Sequence, residues 1–155
     1  MNASERGLAM ERDALLALWD ESWTEGIWFA SWTQALDGLT PAQAAWRPKP
    51  DLHSIWQLVA HVIFWREYTL DQIVGGPKLA DDEVARRNFL EPAAVSDPAW
   101  RETRERLAAS HRGIRAAIAD SARPLDRLRY HLAHDANHLG QILYLRRLQG
   151  LGPVA

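Results

Sequence analysis

Six histidines and the absence of cysteine define what chemistry this 155-residue chain can do. His134 and His138 are four residues apart, so on a helix they share a face, with Cβ atoms roughly 6 Å apart. Two imidazoles at that spacing can reach one metal ion from a single helix. His131 stands one turn earlier and, with Asn137 and Gln141, makes that face polar beside an apolar stripe of Leu125, Leu128, Leu132, Leu139 and Leu143. A polar stripe bordering a core either faces solvent or lines an interior cleft. His61 is flanked one turn away by Phe64, Trp65 and Tyr68. Buried there, its imidazole needs a polar partner, because an unpaired polar group costs about 1–3 kcal/mol. An ordinary hydrogen bond would serve, and so would a metal ion shared with the other two. His53 reads as a loop residue ahead of a helix cap. His111 lies on an apolar helix stripe and is the best candidate for an additional ligand or a contact behind the ligands. Without cysteine there are no disulfides, thiolate ligands or cysteine nucleophiles.

The elements that must position these residues are helical. The first helical stretch runs from Glu5 to Leu39 with a break near Thr24 to Gly26. In one straight helix Trp19/Trp23 and Trp28/Trp32 would point to nearly opposite faces, and Gly26 is a poor helix-interior residue. Pro41, Pro48 and Pro50 mark a connecting loop. A second helix opens at Ser54 with Gln57 three residues on, a capping-box pattern, and runs to Val74 before Gly75-Gly76-Pro77. Residues 76–96 read as a long loop. Asp97-Pro98 starts a third helix with Asp as its cap and an apolar stripe of Trp100, Leu107, Ile114 and Ile118. A fourth runs from near Pro124 to Gln149, with Gly150 past its end. No segment alternates as a strand does. The expected fold is all-α: a single domain over residues 1–155, an antiparallel four-helix bundle with an interrupted first helix. Whether the long loop between helices two and three carries a crossover stays open.

Eighteen basic residues against twenty acidic ones leave a formal net charge of −2. That balance supplies no basic face for nucleic acid or an anionic membrane. No window of about 18 apolar residues exists to span a membrane, and the N-terminal segment has no apolar signal block. The expected location is the cytoplasm. Eight tryptophans, all in the first two thirds, read mainly as core and interface packing.

Two segments resemble the DinB-like, YfiT-like metalloprotein superfamily (unrelated to the polymerase that shares the name DinB). The first is Leu39-Thr40-Pro41-Ala42-Gln43-Ala44-Ala45-Trp46-Arg47-Pro48 followed by His53-Ser54-Ile55-Trp56-Gln57-Leu58-Val59-Ala60-His61. The second is His134-Asp135-Ala136-Asn137-His138-Leu139-Gly140-Gln141-Ile142. The resemblance implies a four-helix bundle, often dimeric. It also implies one divalent metal ion, usually Zn or Ni, on one histidine of the second helix and two from an H-x-x-x-H on the last. The matching positions are His61, His134 and His138. Where many relatives carry Trp-His-Gly after the first helix, this chain reads Ile27-Trp28-Phe29-Ala30-Ser31.

Three neutral imidazoles leave a coordination position for water or substrate, which separates a catalytic zinc site from a closed structural one. A divalent ion lowers the pKa of a bound water or thiol. The first expectation is therefore an enzyme of small-molecule substrates. Either water is activated for hydrolysis, or a low-molecular-weight thiol is activated for transfer, the direction that the resemblance favours. Tyr68, His131, Asp135, Asn137 and Gln141 are the candidates for supporting or proton-relay roles. No Glu-x-x-His pair stands where a carboxylate-bridged di-iron site would need it. The rival expectations are a non-catalytic metal- or ligand-binding stress protein, and a structural dimer whose histidines are ordinary polar contacts.

Overall fold

In a computed structural model residues 2–154 are described, and among them lie seven helices and no strand. Four are long: α1 (Ala3–Thr24), α4 (Ile55–Ile73), α6 (Asp97–Ala119) and α7 (Tyr130–Leu148). Three are short: α2 (Trp32–Leu36), α3 (Pro41–Ala45) and α5 (Asp81–Arg87).

The break after α1 falls where Gly26 requires it. Gly26 has φ +82°, and a Cβ there would sit 2.6 Å from the Phe29 carbonyl oxygen. Past the break the chain is not the expected continuous helix to Leu39. Only Trp32–Leu36 is helical, opened by a capping box in which Ser31 and Gln34 satisfy each other's backbone. The proline-rich loop likewise contains α3, capped by Thr40 and Gln43 around Pro41. The cap of α4 is as expected, Ser54 with Gln57. The segment 76–96, expected to be loop, contains α5, with three acids in its first turn and two arginines in its last to match the helix dipole. α6 is capped by Ser96 rather than Asp97, because a side chain one residue outside the first turn reaches the free backbone N–H of Ala99. α7 begins at Tyr130 rather than near Pro124. Leu125 to Leu128 form tight turns, with His131 N–H bonded to the Leu128 carbonyl, and still bury both leucines.

Helix directions follow from the side-chain pairings. Trp19 pairs with His111 and Arg12 with Ile118, so α1 and α6 are antiparallel. Thr69 faces His131, Arg66 faces Asp135 and His61 faces His138, so α4 and α7 are antiparallel. Trp56 bonds Thr103, and Arg66 bonds Ser110, so α4 and α6 run parallel. The connection between α4 and α6 is therefore a crossover. It must return the length of a 19-residue helix, about 28 Å at 1.5 Å per residue. That return path carries Asn88 and Phe89 over His61 of α4, with Phe89 also facing His138 of α7.

The core has two apolar clusters. One gathers Trp32, Leu36, Val59, Trp100, Leu139 and Ile142; the other gathers Trp19, Ile114, Ile118 and Leu128. Arg66, fully buried, lies 5.0 Å from the Trp19 ring and 5.4 Å from the Trp32 ring, and so joins them. Four tryptophans are core residues, whereas Trp28 is wholly exposed.

Candidate metal centre

His61 reaches the centre from the middle of α4, and His134 and His138 reach it from successive turns of α7. His61 Nε2 lies 3.0 Å from His134 Nε2, which lies 3.2 Å from His138 Nε2. The ligand nitrogens of all three lie within 4.8 Å of one another, the one such group among the described residues that could hold a metal ion. Imidazoles at 2.0–2.1 Å from a shared ion, at angles between a right angle and the tetrahedral value, are about 2.9–3.4 Å apart. The spacing fits.

The hydrogen bonds behind the cluster fit as well. His61 Nδ1 bonds Asn88 Oδ1 (2.5 Å), and His138 Nδ1 bonds Gln141 Oε1 (2.8 Å). An amide oxygen only accepts, so both Nδ1 atoms carry the proton and both Nε2 atoms present lone pairs. His134 Nε2 faces both and has one proton to offer. A cation satisfies all three nitrogens where a hydrogen bond cannot. His134 Nδ1 is buried without a hydrogen-bond partner.

Burial also sets the charge. It pushes His61 down to about 4, against the bond to Asn88 and with help from His138 and His53. His134 falls to about 4 through burial, then through its neighbours His138 and His61. His138 is lowered too, again mainly by burial. All three are neutral at neutral pH, the state that ligates.

A model of the DinB superfamily matches residues 24–142, a span that holds all three histidines. The chain belongs to the DinB superfamily. No curated protein and no solved structure matches it. Among the described residues of this DinB-superfamily chain, no helix is long and apolar enough to cross a membrane.

The supporting candidates divide. Gln141 holds His138. His131 is buried and bonds Thr69 Oγ1 at 3.0 Å. Tyr68 lines a cleft of about 320 Å³ with His131 and His134, and its hydroxyl accepts from the Leu79 N–H. Asn137 is exposed on α7 and lines neither cleft at the cluster. Asp135 turns into the core instead, bonded by Arg66 and by Trp32 Nε1 at 3.0 Å. His111 is not an additional ligand. It stacks on Trp19 and Trp23, at 4.7 and 4.5 Å between ring centres. His53 stacks on Phe89 at 3.8 Å, and Phe89 stacks in turn on His61 at 4.0 Å.

Asn88 and Phe89 are the residues that sequence reasoning missed. Both lie in the segment read as featureless loop, and only the crossover brings them over His61. Phe89 has φ +52°, unusual for a bulky residue. Gln57 Nε2 donates to its carbonyl at 3.2 Å, so the cap of α4 also pins the wall of the centre. A cleft of about 740 Å³ beside Trp23, Trp32 and Trp100 contains none of the three histidines.

Proposed function

We propose that the chain is a divalent-metal-dependent enzyme in which His61, His134 and His138 hold one ion, Zn or Ni, and that it transfers a low-molecular-weight thiol to an electrophilic acceptor. The observation that carries this reading is the meeting of three Nε2 atoms whose lone pairs cannot satisfy one another. Bound there, a divalent ion supplies Lewis acidity that brings a thiol or water into the ionisable range near neutral pH. Asn88 and Gln141 orient two imidazoles and keep their protons on Nδ1. Trp65 and Phe89 flank His61 with apolar rings, which limits water around it. In the cleft past His134, Arg127 and Tyr130 line the approach with Tyr68. They can orient an anionic co-substrate, and His131 stands at the cleft wall within reach of a proton held on Thr69. Two clefts reaching one centre favour a reaction of two organic substrates over hydrolysis, which needs one and water.

The test is elemental analysis of purified protein and of Zn- or Ni-loaded protein, followed by a panel of thiols and electrophilic acceptors. One ion per chain is expected, lost in His61→Ala and His134→Ala. Asn88→Ala is expected to weaken metal binding about 10–100-fold, the usual cost of losing a hydrogen bond behind a ligand. Absence of stoichiometric metal, or turnover that survives His134→Ala, overturns the proposal. Full metal occupancy without turnover on any pair assigns the chain to a non-catalytic metal-binding bundle.

We further propose a homodimer, the assembly that the resemblance to the DinB superfamily implies. Light scattering should report twice the 17.6 kDa chain mass; a monomer mass overturns it.

A further inference from the structure

The two clefts that reach the histidine cluster differ in kind. The one past His138 is bounded by Leu52, Leu58, Phe89, Tyr144, Leu145 and Leu148 and holds about 260 Å³. No Asp, Glu, Lys or Arg stands among the described residues that line it. The residues with polar side chains in its lining are His53, His138, Gln141 and Tyr144. Leu52, Tyr144 and Leu148 are each 45–66% exposed, so three large apolar side chains stand around one concavity. The cleft past His134, by contrast, carries Arg127 with Tyr68, Tyr130 and His131.

We infer that the cleft past His138 is the subsite for an uncharged, apolar portion of a small-molecule substrate, of the size of one aromatic ring. Three observations support this. A charged group entering the cleft would give up water on its buried side and gain no counter-ion, because the lining offers none. The volume lies just below the roughly 300–1,000 Å³ of sites for drug-sized ligands, which suits a single ring rather than an extended molecule. The wall is also preformed. Phe89 is sandwiched between His53 and His61, with interplanar angles of 4° and 13°, and Gln57 holds its left-handed backbone. A bulky residue kept in that conformation marks a position where surrounding contacts override local preference, as they do at ligand sites. Both faces of Phe89 are taken by the two imidazoles, so it presents only its edge to the cleft, whose lining it shares with His138. The place of the subsite in catalysis rests on the proposed metal centre; its affinity for apolar groups does not.

The experiment titrates the full chain, zinc-loaded and metal-stripped, with benzyl alcohol, benzoate and benzylamine, followed by NMR shifts of the leucine methyl groups. The metal-stripped arm removes any carboxylate–zinc bond from the comparison. Benzyl alcohol is expected to bind in both arms, and in the metal-stripped one at least about tenfold tighter than either charged isostere. Leu148→Asp, and separately Leu52→Asp, should weaken that binding at least about tenfold while melting temperature and zinc content stay unchanged. Equal affinities for the three probes in the metal-stripped protein overturn the inference, as does benzyl alcohol binding unmoved in both variants. If Leu148→Asp instead converts a dimer to a monomer and benzyl alcohol never binds, the face belongs to a second copy and the inference is wrong. Failure of the metal centre would show separately, as missing zinc in the unmodified protein, and leaves the metal-stripped titration intact.

Discussion

Replacing Arg66 by Met is expected to cost about 3–5 kcal/mol of folding stability, measured by chemical denaturation, because it leaves Asp135 as a buried charge with no counter-ion. Both side chains are wholly inaccessible to solvent and form a direct ion pair. Arg66 also bonds Ser110 Oγ at 3.2 Å and the Leu107 carbonyl at 3.4 Å, so it ties α4 to α6 and α7 at once. The network is incompletely satisfied: Arg66 Nε and Asp135 Oδ1 have no hydrogen-bond partner. An ion pair of that kind is a modest source of net stability, yet its half-removal is severe. The double variant Arg66→Met/Asp135→Asn should therefore recover much of the loss, since Asn still accepts from Trp32 Nε1. A single-variant loss below about 1 kcal/mol would show that the pair is solvated or dispensable. Asp135 directly follows His134, so the single variant should also weaken metal binding, by letting that turn of α7 shift.

Acidification is the second large effect. His111 is held down to about 3, chiefly by burial and then by the Arg66 charge. His131 is held at about 4, again chiefly by burial, against the pull of Asp135. In the unfolded chain both take up a proton near 6.5. Between pH 6.5 and about 4 the unfolded state thus holds more protons than the folded one, and stability falls as pH falls. It should be level above pH 7, decline from about 6.5, and stop declining through these groups only below about 3–4. A tenfold weaker hold on a proton in the folded state corresponds to about 1.4 kcal/mol, so the two imidazoles together amount to several kcal/mol. Urea midpoints at pH 8, 6 and 5 measure it. His111→Phe keeps the stack on Trp19 and Trp23 and removes one titrating group, so its decline should be shallower. Midpoints that stay constant from pH 7 to 5 would mean that these imidazoles are hydrated in the fold. Metal release should follow the same direction, since each ligand must be neutral to bind.

How much of this was legible beforehand differs by residue. The four long helices, the break at Gly26 and the Ser54–Gln57 cap are local matters, decided by conformational preference and by side chains that reach their own backbone. The short helices α3 and α5, and the early end of α2, are not legible because five to seven residues carry too little periodicity to stand out, although Ser31/Gln34 and Thr40/Gln43 have the same capping pattern as Ser54/Gln57. Asp135 and His111 both turn to core partners rather than to the metal centre. An acid beside His134 looks like a relay in a linear reading, but one residue along a helix is a turn of about 100°, and that points Asp135 at Arg66 in the core.

From the chain of letters alone came the helical character, the shared face of His134 and His138, and His61 as a buried imidazole in need of a partner. These follow from bond geometry over a few residues. The parallel course of α4 and α6, the crossover this forces, and the arrival of Asn88 and Phe89 over His61 belong to the tertiary structure. An apolar stripe states that a helix face will be buried, but the force that buries it has no direction. Which helix covers which, and which way each runs, is settled only when all the faces are packed together.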